Sequence, residues 1–151
     1  MAGDDRSKGE MVMGKVGQYF SADEFACACC GKSNPSQLLV SILDEIRCKL
    51  GPLRINSAYR CKEHNKAVGG ASESWHLPRD GVVYAADVSY VDPTKRHGAY
   101  ILRLYIELEN AARRRGYAYG MGLYENFVHF DTRGQIKGTK GARWFKYNWP
   151  R

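Results

Sequence analysis

Residues 56–87 read NSAYRCKEHNKAVGGASESWHLPRDGVVYAAD, and residues 127–131, FVHFD, complete their meaning. The first stretch supplies His76 and Asp87, the second His129. Two imidazoles and one carboxylate form a mixed nitrogen and oxygen set that suits zinc, with a fourth position left open. An open position separates a catalytic zinc site from a closed structural one, because water held there is activated near neutral pH. On this reading the rest of the chain builds and holds the site.

The flanking text supplies the scaffold. Asn34 is placed to cap a helix with Pro35 at its first position, and Leu38, Leu39, Ile42, Leu43, Ile46 and Leu50 form one apolar stripe. Gly51-Pro52 ends that helix. Leu53 to Ser57 alternates as a short strand and delivers Tyr59 and Arg60 at its carboxyl end. Residues 62–68 read as a short helix stopped by Gly69-Gly70, and Ala85 to Tyr90 as a strand carrying Asp87. Asp92-Pro93 opens a long helix to about Arg115, with Tyr100, Ile101, Leu104, Leu108 and Ala111 or Ala112 as its buried face. Strands follow at about 118–124 and 127–132, with a further short one near 143–147. The pattern predicts an α+β domain, with helices on one side of a small, mainly antiparallel sheet.

Composition narrows the class. The chain has 151 residues, 44% hydrophobic and 26% charged, the profile of one ordinary globular domain. No apolar run approaches the roughly 20 residues of a membrane span. The opening MAGDDRSKGEMVMGKVGQ lacks the apolar core of a secretory signal. It is read as a mobile arm over 1–18 before a domain over 19–151, in a protein made in the cytoplasm. Lys plus Arg is 23 against 16 for Asp plus Glu, a net charge of +7 that favours polyanionic surroundings. The basic residues are scattered except for Arg113-Arg114-Arg115, which closes a helix, and no nucleic-acid-binding motif accompanies them. No nucleic-acid partner is expected. Anionic wall polymers are an alternative polyanion, and a monomer is expected.

Cysteines stand at 27, 29, 30, 48 and 61, an odd count that argues against a full disulfide framework. Cys27-x-Cys29-Cys30 is tight enough to offer two thiolates to a structural zinc, with Cys48 or Cys61 completing the set. The paired spacing of a zinc ribbon is absent, so mostly buried thiols are expected.

Five blocks in order carry a resemblance: Ser57-Ala-Tyr59-Arg60, His64 to Ala71, Ser74-Trp-His76 with Ala85-Ala86-Asp87, Gly120-Met-Gly122-Leu-Tyr124, and His129-Phe-Asp131. Over about residues 19–134 the chain resembles the zinc D-Ala-D-Ala carboxypeptidases, which share their fold with the Hedgehog signalling domain. The resemblance implies a Hedgehog/DD-peptidase-like fold with Zn2+ on His76, Asp87 and His129. It implies a peptidase acting at the cell wall on peptidoglycan stem or cross-link peptides, as a phage lysis enzyme does. The alternative it permits is a non-catalytic, zinc-containing wall-binding module. The family places its ligand Asp seven residues after the His, whereas here the gap is eleven, with the extra residues in Leu77 to Tyr84. Pro78 and Gly81 favour a loop excursion there.

The resemblance also suggests roles. Peptide hydrolysis beside a free carboxylate needs a fixed cation, and Arg60 has the planar fork to hold that carboxylate bidentately. Ser74 can contact the substrate backbone or cap a turn, and Tyr124 is counted with the substrate-binding residues. Related dipeptidases carry a Glu three residues before the last His, where this chain has Asn126. Strand alternation puts Glu125, Phe127, His129 and Asp131 on one face. Asp131 is therefore favoured as general base or as an acceptor that orients a ligand histidine, with Glu125 as the other catalytic candidate.

Overall fold

Two periodicities build the scaffold, 3.6 along the helices and 2 along the strands. The computed structural model describes residues 14–146. Helices α1, α2 and α3 span Gln37–Leu50, Lys62–Ala67 and Gly98–Arg115. Strands β1 to β5 span Leu53–Ser57, Ala85–Tyr90, Gly120–Leu123, Val128–Asp131 and Ala142–Phe145. The sheet order is β1-β2-β4-β3-β5. Its first three pairings are antiparallel and the β3–β5 pairing is parallel, so this α+β sheet is mixed.

One sheet face is apolar. Ala86, Val88 and Tyr90 of β2, Met121 and Leu123 of β3, and Val128 and Phe130 of β4 join a single core with α1 and α3. Helix α1 buries Leu39, Val40, Ile42, Leu43 and Ile46, and α3 buries Ile101, Leu104, Tyr105, Leu108, Ala111 and Ala112. Each fully buried Leu or Ile contributes about 1.5–3 kcal/mol through removal of apolar surface from water. The alternate residues of the same strands turn to the other face, where the candidate site lies. No helix among the described residues is long and apolar enough to cross a membrane.

Several sequence expectations are corrected. Helix α1 is capped by Ser36, whose Oγ accepts the Leu39 N–H at 3.3 Å, and not by Asn34. Asn34 and Pro35 instead pair with the loop before β2, where the Asn34 carbonyl accepts the Val83 N–H at 2.9 Å. Asp92-Pro93 opens only a 3-10 turn over Pro93–Lys95, and α3 begins at Gly98. Arg96 turns back to donate to the Tyr90 and Val91 carbonyls at 2.8 Å each, and Gly98 adopts a φ of 53°. Those two features separate the turn from the helix. Tyr100 is 47% exposed and Tyr105 takes the core position expected of it. The thiols are mostly accessible: Cys29, Cys30 and Cys48 are exposed, Cys61 is half-buried and Cys27 alone is buried. Of the expected arm over 1–18, residues 1–13 lie outside the described residues, as does residue 147 of the last expected strand. Gln18 and Tyr19 donate backbone N–H groups to the Asp44 carboxylate of α1 at 2.8 and 3.1 Å.

Ser36 tests how α1 is anchored, because its hydroxyl also bonds Gln135 at 2.6 Å. Ser36→Ala is expected to lower the unfolding free energy by about 1 kcal/mol. Denaturant unfolding with an unchanged m-value checks it, and an unchanged midpoint would mean that the Leu39 N–H needs no cap.

Candidate metal centre

Strand register sets the site. Asp87 of β2 stands opposite His129 of β4, His129 opposite Gly122 of β3, and Gly122 beside Trp144 of β5. A carboxylate, an imidazole, a gap and an indole thus run in one row across four strands. His76 reaches the row from the preceding loop. His76 Nε2 and His129 Nδ1 each lie 3.1 Å from Asp87 Oδ1. All three residues are buried, and their ligand atoms fall within 4.8 Å of one another.

This triangle fits zinc. Bonds of about 2.0–2.1 Å in tetrahedral geometry separate ligand atoms by about 3.3 Å. The outer ring atoms fix the tautomers. His76 Nδ1–H donates to the Ala58 carbonyl at 2.8 Å, leaving a lone pair on Nε2 when the ring is neutral. His129 Nε2 faces Asp131 Oδ2 at 2.8 Å, leaving the lone pair on Nδ1. Both lone pairs point to the shared centre, the usual use of an outer hydrogen bond behind a metal-binding histidine.

Asp131 therefore stands behind His129 and away from the centre. It is fully buried, and Arg133 grips it through Nε and Nη2 at 2.8 Å each and through its backbone N–H at 3.2 Å. Glu125 is exposed in the connection between β3 and β4 and is not among the cleft-lining residues. Ser74 caps the turn before His76, accepting the His76 N–H at 3.2 Å, and lines the cleft. Tyr124 stacks on Phe127 with ring centres 4.3 Å apart and accepts the Trp144 indole N–H at 3.0 Å.

Arg60 enters from the end of β1. Its Nη2 lies 3.5 Å from Asp87 Oδ2, while Ser57 Oγ and Asn65 Oδ1 accept its N–H groups at 3.0 and 3.3 Å. Asn65 is buried and donates to the Ala71 carbonyl at 2.9 Å, and a side chain at Gly70 would collide with it. The His64 to Ala71 block is thus the brace of Arg60.

The glycines of β3 have a similar purpose. A Cβ on Gly122 would strike the Trp144 indole, and one on Gly120 would strike Asp131 and Arg133. Their absence lets Trp144 lie over His129, with ring centres 5.0 Å apart. The long gap between His76 and Asp87 is a folded turn: Asp80 and Gly81 both have positive φ, and Arg79 and Val82 pair across them. The Arg79 guanidinium then lies 3.8 Å over the Trp75 ring.

Together these walls form a cleft of about 800 Å³ lined by Arg60, Ser74, Trp75, His76, Asp87, Tyr124, Phe127, His129, Arg133, Trp144 and Lys146. Glu73 lines it as well, the one cleft carboxylate among the described residues besides Asp87. Sequence reading missed Glu73, Trp75, Arg133 and Trp144, although the S-x-H block had brought Trp75 into view. Residues 18–131 match the family model described as Peptidase M15, so Arg133 and Trp144 lie beyond the match. No curated protein matches the chain.

The charges are strongly coupled in the metal-free protein. Burial would raise the Asp87 and Asp131 carboxyls, but hydrogen bonds outweigh it and hold both below the usual carboxylate range. For Asp87 the donors are His129 and His76, and for Asp131 they are Arg133 and His129. Burial would lower His129, but its bonds to Asp131 and Asp87 push it up to about 9. The stabilisation from His129 is complete below its ordinary value of 6.5 and is lost as pH rises through about 9. That from the carboxylates is present above their ordinary 3.8 and is lost on acidification. The metal-free protein should therefore melt highest between about pH 4 and 6.5. Thermal melts across pH check this, and His129→Gln should flatten the alkaline arm. An alkaline arm that persists in that variant would assign it to another group.

Proposed function

The chain belongs to the peptidase M15 family, the zinc D-Ala-D-Ala carboxypeptidase type, and from that premise we propose a zinc-dependent peptidase of peptidoglycan stem or cross-link peptides, cutting as a carboxypeptidase or endopeptidase. The observation that carries the proposal is the joint placement of the His76–Asp87–His129 triangle and the braced Arg60 guanidinium in one cleft. His76, Asp87 and His129 would hold the zinc ion, which would supply Lewis acidity for peptide hydrolysis. Arg60 presents a planar fork to the free carboxylate found beside the cut bond in wall peptides. Trp75, Trp144 and the Tyr124–Phe127 stack narrow the cleft and limit solvent around the reacting atoms.

Asp131 holds His129 in its ligating tautomer, with its oxygens already engaged by His129 and Arg133. That occupancy favours the orienting role over the base. Glu73, facing the same cleft three residues before His76, is the carboxylate we assign to take the proton from water. The net charge of +7 suits delivery to anionic wall polymers, and a wall-lytic role of the phage kind is consistent with it.

Digestion of purified sacculi, followed by mass spectrometry of the fragments with and without a chelator, tests the function. Zinc-dependent shortening of stem peptides or opening of cross-links is expected. Binding to sacculi without any new fragment would support the non-catalytic wall-binding module instead.

The carboxylates separate by metal content. Glu73→Gln should abolish most turnover with zinc retained, whereas Asp131→Asn should weaken zinc affinity by about 10–100-fold. Full activity in Glu73→Gln together with a dead Glu125→Gln would move the base to Glu125.

Arg60→Lys keeps the charge and loses the fork. It should raise KM with an unchanged melting curve, and a collapse in stability would make Arg60 structural.

A further inference from the structure

One residue along the chain from Arg60, a second cluster forms: the Sγ atoms of Cys27, Cys30 and Cys61 all lie within 4.8 Å of one another. A tetrahedral zinc with bonds of about 2.3 Å spaces its sulfurs by about 3.8 Å, so a small contraction completes the fit. No pair is joined as a disulfide. The backbone is shaped for the cluster. Cys27 and Cys30 stand at C-x-x-C spacing in a tight turn, where the Gly31 N–H donates to the Cys27 carbonyl at 2.9 Å and the Cys27 N–H to the Lys32 carbonyl at 2.8 Å. Gly31 has a φ of 75°, a conformation that costs a glycine little. The Cys61 N–H points at Cys27 Sγ and the His64 N–H at Cys61 Sγ, both at 3.4 Å. Such donors stabilise sulfur that carries negative charge. Lys32 and Lys62 line the same hollow and offset the charge of clustered thiolates, with Glu63 as the opposing carboxylate. Cys29 also lines it, exposed on the same turn and outside the group of three sulfurs.

We propose that Cys27, Cys30 and Cys61 hold a second zinc ion, and that Cys29 swings in from the same turn to fill the fourth position of a closed, structural site. The ion joins the turn after a 3-10 helix over Ala22–Phe25 to the start of α2. The segment it fixes carries Tyr59, whose N–H donates to the Phe25 carbonyl at 3.1 Å, and Arg60, the residue before Cys61. Binding requires the thiols to release their protons, and the metal then contributes directly to folding. The site thus secures the backbone from which Arg60 enters the cleft.

The test uses the intact chain loaded with zinc. Elemental analysis should give two zinc ions per chain, and a thiol reagent should find Cys48 alone, with all five cysteines reacting after chelation and unfolding. Loading with cobalt should produce thiolate-to-cobalt charge-transfer absorption, and this absorption should persist in His129→Ala. Cys27→Ser and Cys61→Ser should each lose one zinc ion and the absorption, while Cys48→Ser keeps both. These readouts depend on thiolate ligands and stand apart from the histidine centre. Failure of that centre would leave one thiolate-bound ion, whereas failure of this inference leaves one ion without thiolate absorption. The inference is overturned by five reactive thiols in the folded, zinc-loaded protein, or by a disulfide that persists after chelation. Because the wild-type thiol count and cobalt spectrum decide the matter, variants that fail to fold do not.

Discussion

A buried carboxylate governs this structure. Asp87 is 8% exposed in the middle of a sheet, and an isolated carboxylate there would be costly. Its two oxygens are divided between partners: Oδ1 faces both imidazoles, and Oδ2 faces Arg60. Each partner needs its own anchor, and the anchors come from distant parts of the chain. His76 leans on the Ala58 carbonyl, His129 on Asp131, Asp131 on Arg133, and Arg60 on Ser57 and Asn65. The result is a polar network whose outer members set the direction of the inner ones. A divalent cation held by His76, Asp87 and His129 would take the place of the protons that otherwise hold the cluster together.

Period-2 alternation allows such a network beside a dry core. Val128 and Phe130 face the helices while His129 and Asp131 of the same strand face the site. The strand next to it contributes Met121 and Leu123 to the core and two glycines to the site. Those glycines are defined by what would collide with them, Trp144 at Gly122 and the Asp131–Arg133 pair at Gly120. In the sequence Gly120-Met-Gly122 is one block of the family resemblance, on an expected strand. In the fold it is space reserved for neighbours.

This contrast marks how far the sequence could be read. The five strands and the apolar stripes were legible because each is a local pattern of residue types, and the grouping of His76, Asp87 and His129 was legible through the order of the motif blocks. The α3 start was not, because a side-chain bond from Arg96 to the backbone outweighs the Asp-Pro signal. Ser36 displaced Asn34 as the cap because residues 34–35 are drawn into pairing with the loop before β2. Arg133 and Trp144 went unseen for the same reason. They reach the site through strand register and stacking, and no periodicity encodes those contacts. The cysteines were legible as a cluster but not in their burial, which depends on the surface position of the turn that carries three of them.

The long gap between His76 and Asp87 follows from the same division between local and tertiary control. His76 is held by the Ala58 carbonyl at one end of the loop, and Asp87 by pairing with β1 and β4 at the other. Neither anchor lies within residues 77–84, so added length there leaves the ligand atoms where they are. The added residues close on themselves at Asp80-Gly81 and tie back through Val83 to Asn34 and Ser36. Arg79 stacks on Trp75, whose ring also meets Tyr84 edge-on with ring centres 6.5 Å apart and lies 5.3 Å from the Arg133 guanidinium. Loop length in this region therefore acts on the wall of the cleft and on the aromatic surface offered to substrate. The placement of His76, Asp87 and His129 is set by anchors outside the loop, so the cleft wall can vary there while the three side chains keep their positions.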